Sequence, residues 1–220
     1  MSQALVNIRE QLKGELAGLS KTVPAPSGRT ISTKGKLFTF PDAKTSQGPL
    51  EAVILDHRNF NKFYSAAYDP KNPTPPKCFA LSKELDGMGP HAEVQEKQSD
   101  ACAVCAYNQW GSATVGKGKA CRNTVRLAIA TPDATADSEP FIISISPTGI
   151  KSWSALVNAL GTRELIPVQV VTSIAFDPNQ AFPTLIFKPL RPLDDEQLTV
   201  MWALRQKAQA LLDAPPAANG

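Results

Sequence analysis

The sequence predicts a mixed α+β domain: a small β-barrel interrupted by a cysteine-rich insertion, with an amphipathic helix at each end. Three observations predict it. Short β-branched and aromatic runs recur through the middle of the 220-residue chain. Apolar residues recur at helical spacing at both ends. All four cysteines fall within 78–121, a stretch with little apolar periodicity of its own. Hydrophobic residues make up 42% of the chain and charged residues 20%, a balance that argues against a disordered tail protein.

Taken in order, residues 3–17 place Leu5, Ile8, Leu12 and Leu16 at helical spacing, with Arg9, Glu10 and Lys13 between them. Residues 1–20 are therefore read as a helix that packs on the core or on a second subunit. The Pro-, Ser-, Gly- and Lys-containing stretch 21–35 reads as a linker. From Lys36 come three strand-like runs, KLFTF, LEAVILDH and FNKFYSAAY, and then the proline-rich DPKNPTPPK, which is neither helix nor central strand. After the cysteines, TVRLAIA and FIISISP read as strands, and TGIKSWSALVNALG (148–161) as a helix ending near Gly161. PVQVVTSIAFD and FPTLIFKPL are two more strands, divided by the turn residues Asp177, Pro178 and Asn179. Asp194, Asp195 and Glu196 suit a helix N-terminus. The helix over 194–213 carries Leu198, Met201, Trp202, Leu204 and Leu211, before a frayed 214–220. This order fits a barrel of the oligonucleotide-binding (OB) type over 36–193, with an insertion at about 70–123.

No apolar stretch approaches the roughly 18 residues of a membrane span, and the N-terminus lacks the apolar core of a secretory signal. The expectation is a cytoplasmic protein, in which cysteines are reduced and are better read as metal ligands than as disulfides. Cys102 and Cys105 form a CxxC pair that can aim two thiolates at one ion, Cys121 follows the flexible GKGKAC, and Cys78 closes PPKC. Four thiolates saturate a tetrahedral zinc, leaving no open position, so one structural rather than catalytic zinc is predicted on Cys78, Cys102, Cys105 and Cys121. His91 is the alternative to Cys78.

Gly111–Gly118 approaches a phosphate-binding loop, but glycine replaces the hydroxyl residue that binds magnesium and no strand precedes it, so nucleotide hydrolysis is rejected. His57 beside Asp56 is the one pairing with an acid–base look, and no nucleophile motif accompanies it. The protein is read as a non-enzyme. Between Gly111 and Arg126 stand Lys117, Lys119, Arg122 and Arg126 with no acid, and Tyr107 and Trp110 precede them. Cations for phosphates and flat rings for unstacked bases are what a single strand requires. The predicted contacts are these six residues with Phe63 and Tyr64. Most strand aromatics are core, which makes Tyr107 and Trp110 the better stacking candidates.

At PPKCF (75–79), Cys102-x-x-Cys105, Asn108-Gln109-Trp110-Gly111-Ser112 and Gly116–Cys121, the chain resembles a group of bacteriophage-encoded proteins associated with single-stranded DNA and zinc. The resemblance spans roughly 36–190. It implies an OB-type core, a four-cysteine zinc, residence in the host cytoplasm, and a role in phage DNA replication or recombination beside other replication or recombination proteins. Many such proteins end in an acidic recruiting tail, and DAPPAANG departs from that. The rival expectation is a zinc-stapled interaction module or inhibitor of a host enzyme. Its surface would be the terminal helices, which also make a homodimer conceivable.

Overall fold

The computed structural model describes residues 29–66 and 74–216. The predicted N-terminal helix, most of the linker, residues 67–73 and the last four residues lie outside the described residues. The elements are β1 (Thr30–Ile31), β2 (Phe38–Thr39), β3 (Thr45–Ser46), β4 (Leu50–Phe63), β5 (Cys78–Ser82), β6 (Cys121–Ala130), β7 (Phe141–Ile145), α1 (Ile150–Gly161), β8 (Val170–Phe176), β9 (Leu185–Pro192) and α2 (Asp195–Asp213). One mixed sheet runs β1-β7-β6-β4-β8-β9 and also holds β5 against β4, while β2 and β3 form a separate small ribbon. Among the described residues the result is an α+β domain with a curled, half-barrel sheet and two helices, compatible with the small barrel that the sequence predicts. Among the described residues no helix is long and apolar enough to cross a membrane.

Two of the predicted strands are one. LEAVILDH and FNKFYSAAY contribute to a single 14-residue β4, because Asp56–Asn59 contains no turn-forming glycine or proline. A register shift between Ile54 and Asp56 marks a bulge at Leu55. The bulge swaps which face each later side chain takes, so Ile54 and His57 share a face while Leu55 and Asp56 turn to the other.

Each face of the sheet receives one helix. On one face Ile54, Val125, Leu127, Ile129, Ile143 and Ile145 pack against Trp153, Leu156 and Leu160 of α1. On the other, Val53, Leu55, Ala128, Ala130 and Val171 pack against Met201, Leu204, Ala208 and Leu212 of α2. Helix α2 starts where its sequence directs: the Asp194 carboxylate accepts from the Gln197 N–H at 2.8 Å, and the Gln197 side chain bonds back to the Asp194 N–H. Gly149 opens α1 where a Cβ would stand 2.7 Å from Ile145 Cγ2, so only glycine lets the helix approach the sheet.

Strand β4 is paired with β6 along most of one edge, but its other edge is shared. Leu50–Val53 pair with β8 and Asn59–Phe63 pair with β5, leaving 54–58 without a strand neighbour there among the described residues. Side chains cap this opening: Asp56 Oδ1 accepts from the His57 N–H at 2.9 Å, and Arg58 Nη1 donates to the His57 carbonyl at 2.8 Å. The same two residues bind α2. Asp56 Oδ2 accepts from Arg205 (3.3 Å) and Gln209 (3.1 Å), and Arg58 donates to both carboxylate oxygens of Asp213 (2.7 and 3.0 Å).

Burial alone would raise the Asp56 carboxyl; the Gln209 amide, the His57 N–H, Arg205 and Lys83 outweigh it and hold its pKa below the ordinary carboxylate value. Its stabilising contribution is therefore complete above the ordinary carboxylate range and is lost as pH falls below that range, through the depressed folded-state value. Asp56→Ala, which leaves Lys83 and Arg205 without their carboxylate beside a 7%-exposed site, is expected to cost about 3 kcal/mol in urea denaturation at pH 7. The difference from the parent protein should shrink toward zero in strong acid. A constant difference at all pH values would show that the carboxylate charge is not what stabilises this junction.

Candidate metal and nucleic-acid site

The cysteines are brought together by the far end of β4. Cys78 at the start of β5 and Cys121 at the start of β6 both stand opposite Phe63 in the sheet register. Directly paired residues point to the same side, so the two thiols flank Phe63 on one face. Cys102 and Cys105 arrive from the insertion. The Cys102 N–H donates to Met88 O at 2.8 Å, the Cys105 carbonyl accepts from the Asn108 N–H at 3.0 Å, and Asn108 Nδ2 holds the Cys102 carbonyl at 2.8 Å.

All four thiols are free and line one cavity of about 20 Å³, which also touches Asn61 and Asn108. That is room for an occupant of about one water molecule's size. His91 does not line it; its ring stacks on Phe79 at 4.9 Å and its Nδ1 accepts from the Glu93 N–H at 3.3 Å. Among the described residues no group of three or more His, Cys, Asp or Glu side chains is arranged, as it stands, to hold a metal ion. The fit of a metal rests on the donor set, four uncrosslinked thiols around one small space. Burial, with the neighbouring thiols adding to it, pushes the Cys121 thiol up to about 12. Burial also raises Cys102, against a hydrogen bond with Asn61. Neutral thiols packed in this way must release protons when a cation takes their place as partner.

A polar chain ties this cavity to the loop that follows. Asn123 Nδ2 donates to Asn61 Oδ1 (2.6 Å) and to Asn108 Oδ1 (2.9 Å), and Lys119 Nζ reaches the same Asn108 oxygen at 3.3 Å. The loop is knotted by its own backbone. The Gly111 N–H donates to Gly118 O at 2.9 Å, Ser112 Oγ donates to Gln109 O at 2.6 Å, and Ser112 Oγ accepts from the Ala120 N–H at 3.0 Å. Gly111 and Gly116 take φ of +85° and +78°, the left-handed region that favours glycine.

The eight residues predicted to contact nucleic acid fall into four groups. Trp110 is 80% exposed, with Lys119 Nζ 5.9 Å from its ring centroid, and Lys117 is exposed beside it. Tyr107 is 39% exposed and stacks on Phe63, centroids 4.1 Å apart, so Phe63 is the buried underside of that stack and not itself a surface ring. Arg122 is exposed but, as the strand neighbour of Cys121, points to the opposite face, where it faces Lys62 in register; the half-buried Tyr64 lies within its electrostatic reach. Arg126 departs from expectation altogether. It is 8% exposed, donates to the carbonyls of Leu212 (2.9 Å) and Ala214 (2.6 Å), and lies 4.4 Å over the Phe60 ring. Its guanidinium caps the end of α2. Lys62, which the sequence reading left outside the site, joins Arg122; desolvation lowers its pKa to about 8, helped by Arg122 and Arg126. Its place opposite Arg122 is a matter of register, which single-sequence periodicity does not supply.

No protein-family model, curated protein or solved structure matches this chain.

Arg126→Ala is expected to lower stability by about 2 kcal/mol, through lost charged hydrogen bonds at the helix end, in chemical denaturation. Loss of oligonucleotide affinity at unchanged stability would return Arg126 to the nucleic-acid surface.

Proposed function

We propose that this protein binds single-stranded DNA without sequence preference and without catalysis, in phage DNA replication or recombination, on an OB-type core whose insertion is ordered by one structural zinc. The observation that carries the reading is Trp110: a ring 80% exposed, on a knotted loop whose only charges are Lys117 and Lys119, anchored beside four clustered thiols. A base stack with flanking cations has use for an exposed indole so placed. Tyr107, propped on Phe63, offers a second ring. Lys117 and Lys119 would meet phosphates, and Tyr64, Lys62 and Arg122 extend the basic and aromatic surface around the end of β4. Cys78, Cys102, Cys105 and Cys121 would hold the zinc, which when bound keeps the thiols ionised and crosslinks a loop with little apolar core of its own.

The second reading, a zinc-stapled module for a protein partner, has its own observation in Val104 and Val115, which are 77% and 87% exposed around the same loop.

The purified chain is expected to carry one zinc, measured by elemental analysis, and a strong chelator should lower its melting temperature. Cys105→Ser should reduce the metal content. A metal-free protein of unchanged melting temperature would remove zinc from the fold. Fluorescence anisotropy with labelled oligo(dT) should show salt-sensitive binding that exceeds binding to an equal-length duplex. Trp110→Ala should weaken it by about 1–3 kcal/mol without altering the melting temperature. Lys117→Ala with Lys119→Ala should reduce the slope of log K against log salt by about 1.4. Metal-replete protein that ignores oligo(dT) at low salt would favour the protein-partner reading.

A further inference from the structure

We propose that the opening in the edge of β4 is a binding site for a small planar aromatic anion, separate from the thiol-anchored loop. The sheet leaves the space for it. Strand β8 stops pairing at Val53, β5 begins at Asn59, and the gap between them holds a cavity of about 260 Å³. Its floor is Ile54–His57 of β4, and its sides come from α1 (Trp153, Val157), the turn Ile166–Val168 and Arg205 of α2. An apolar cavity of roughly 150 Å³ accepts a benzene ring, so this one has room for two fused rings.

The chemistry of the walls selects among occupants. An added peptide strand is disfavoured, because the His57 N–H and carbonyl that it would pair with are already taken by Asp56 and Arg58. A flat ring is favoured, because His57 and Trp153 form an aromatic wall with centroids 5.5 Å apart. Among the described residues neither the His57 imidazole nor the Trp153 indole N–H has a hydrogen-bond partner; His57 Nδ1 stands 3.8 Å from Asp56 Oδ1, beyond bonding reach. Burial holds the His57 pKa below its ordinary value, so near neutral pH the ring offers one donor and one acceptor.

An anionic group is favoured at the mouth. Lys83 Nζ (3.6 Å) and Arg205 Nη2 (3.3 Å) converge on the single carboxylate of Asp56, while the nearby Arg58 is matched by Asp213. Two cations against one anion leave a positive excess. The Lys83 side chain is 53% exposed and can turn toward a ligand.

The test is a titration of the full-length, metal-replete chain with 2-naphthoate, with deoxyadenosine monophosphate and with the uncharged 2-naphthol, followed by the indole N–H signals of its three tryptophans in 1H–15N spectra. A saturable shift of the Trp153 signal with either anion, and weaker binding of 2-naphthol, is the expected result. Val157→Trp, at a position 38% exposed, should close the slot and abolish the shift with the spectrum otherwise intact. Lys83→Ala, a surface change, should weaken anion binding about five-fold. Preference for the nucleotide, with displacement by oligo(dT), would identify the occupant as part of a nucleic-acid strand; preference for naphthoate would identify a free small molecule. Absence of a saturable Trp153 shift at millimolar probe, or the same affinity in Val157→Trp, overturns the site. Equal affinity for 2-naphthol and naphthoate overturns its anion selectivity. Oligo(dT) binding through the Trp110 loop is read separately, from the Trp110 signal, so either conclusion can fail without the other.

Discussion

The constraint on which the molecule depends is that β4 has to serve two helices and three strands at once. It runs the length of the sheet, is paired with β6 along most of one edge, and divides its other edge between β8 and β5. A strand of 14 residues buried on both faces would ordinarily read as a continuous apolar run, but its middle is Asp56, His57, Arg58 and Asn59. The bulge at Leu55 and the capping of the His57 backbone by Asp56 and Arg58 make that polar middle tolerable. The same carboxylate and guanidinium then fix α2 in register through Arg205, Gln209 and Asp213. The apolar contacts of Met201, Leu204, Ala208 and Leu212 drive the docking of α2, and the charged contacts determine where along the strand it sits.

The far end of β4 does a second job with the same economy. Phe63 separates Cys78 from Cys121 and supports the Tyr107 ring, so the strand that organises the core also positions the thiols and the first aromatic of the loop. The chain of amides from Asn61 through Asn123 and Asn108 to Lys119 carries that order outward. In the proposed reading, the state of the thiol cluster and the pose of the DNA-contacting lysine are therefore mechanically linked. Arg126 and α2 lie on the face of β6 opposite Cys121, where the guanidinium holds the carbonyls at the helix end.

Much of this was legible in the residues. The helices at 150–161 and 195–213, the acid-rich start of the latter, and the strands β6 to β9 follow from periodicity and caps, which are local properties. The junction of two predicted strands into β4 was not, because a polar tetrad mid-strand resembles a loop unless its partners on α2, some 150 residues away, are known. Strand β5 was hidden for a related reason: CFALS is short, and its strand character comes from pairing with β4. Among the site residues, exposure of Trp110 and Lys117 followed from a loop poor in apolar neighbours. Burial of Arg126 did not follow, since an arginine that caps a helix end and one that awaits a phosphate look the same in sequence.

The sequence by itself determined the α+β class, the clustering of the four cysteines in one segment, and a basic loop carrying exposed rings, because spacing, composition and turn chemistry are short-range. Only the tertiary structure decided that Cys78 and Cys121 flank one phenylalanine, that Arg126 serves a helix end, and that a slot opens beside His57. Each of these depends on register and on contacts between residues distant in the chain, and those are set by how whole faces pack rather than by any local pattern.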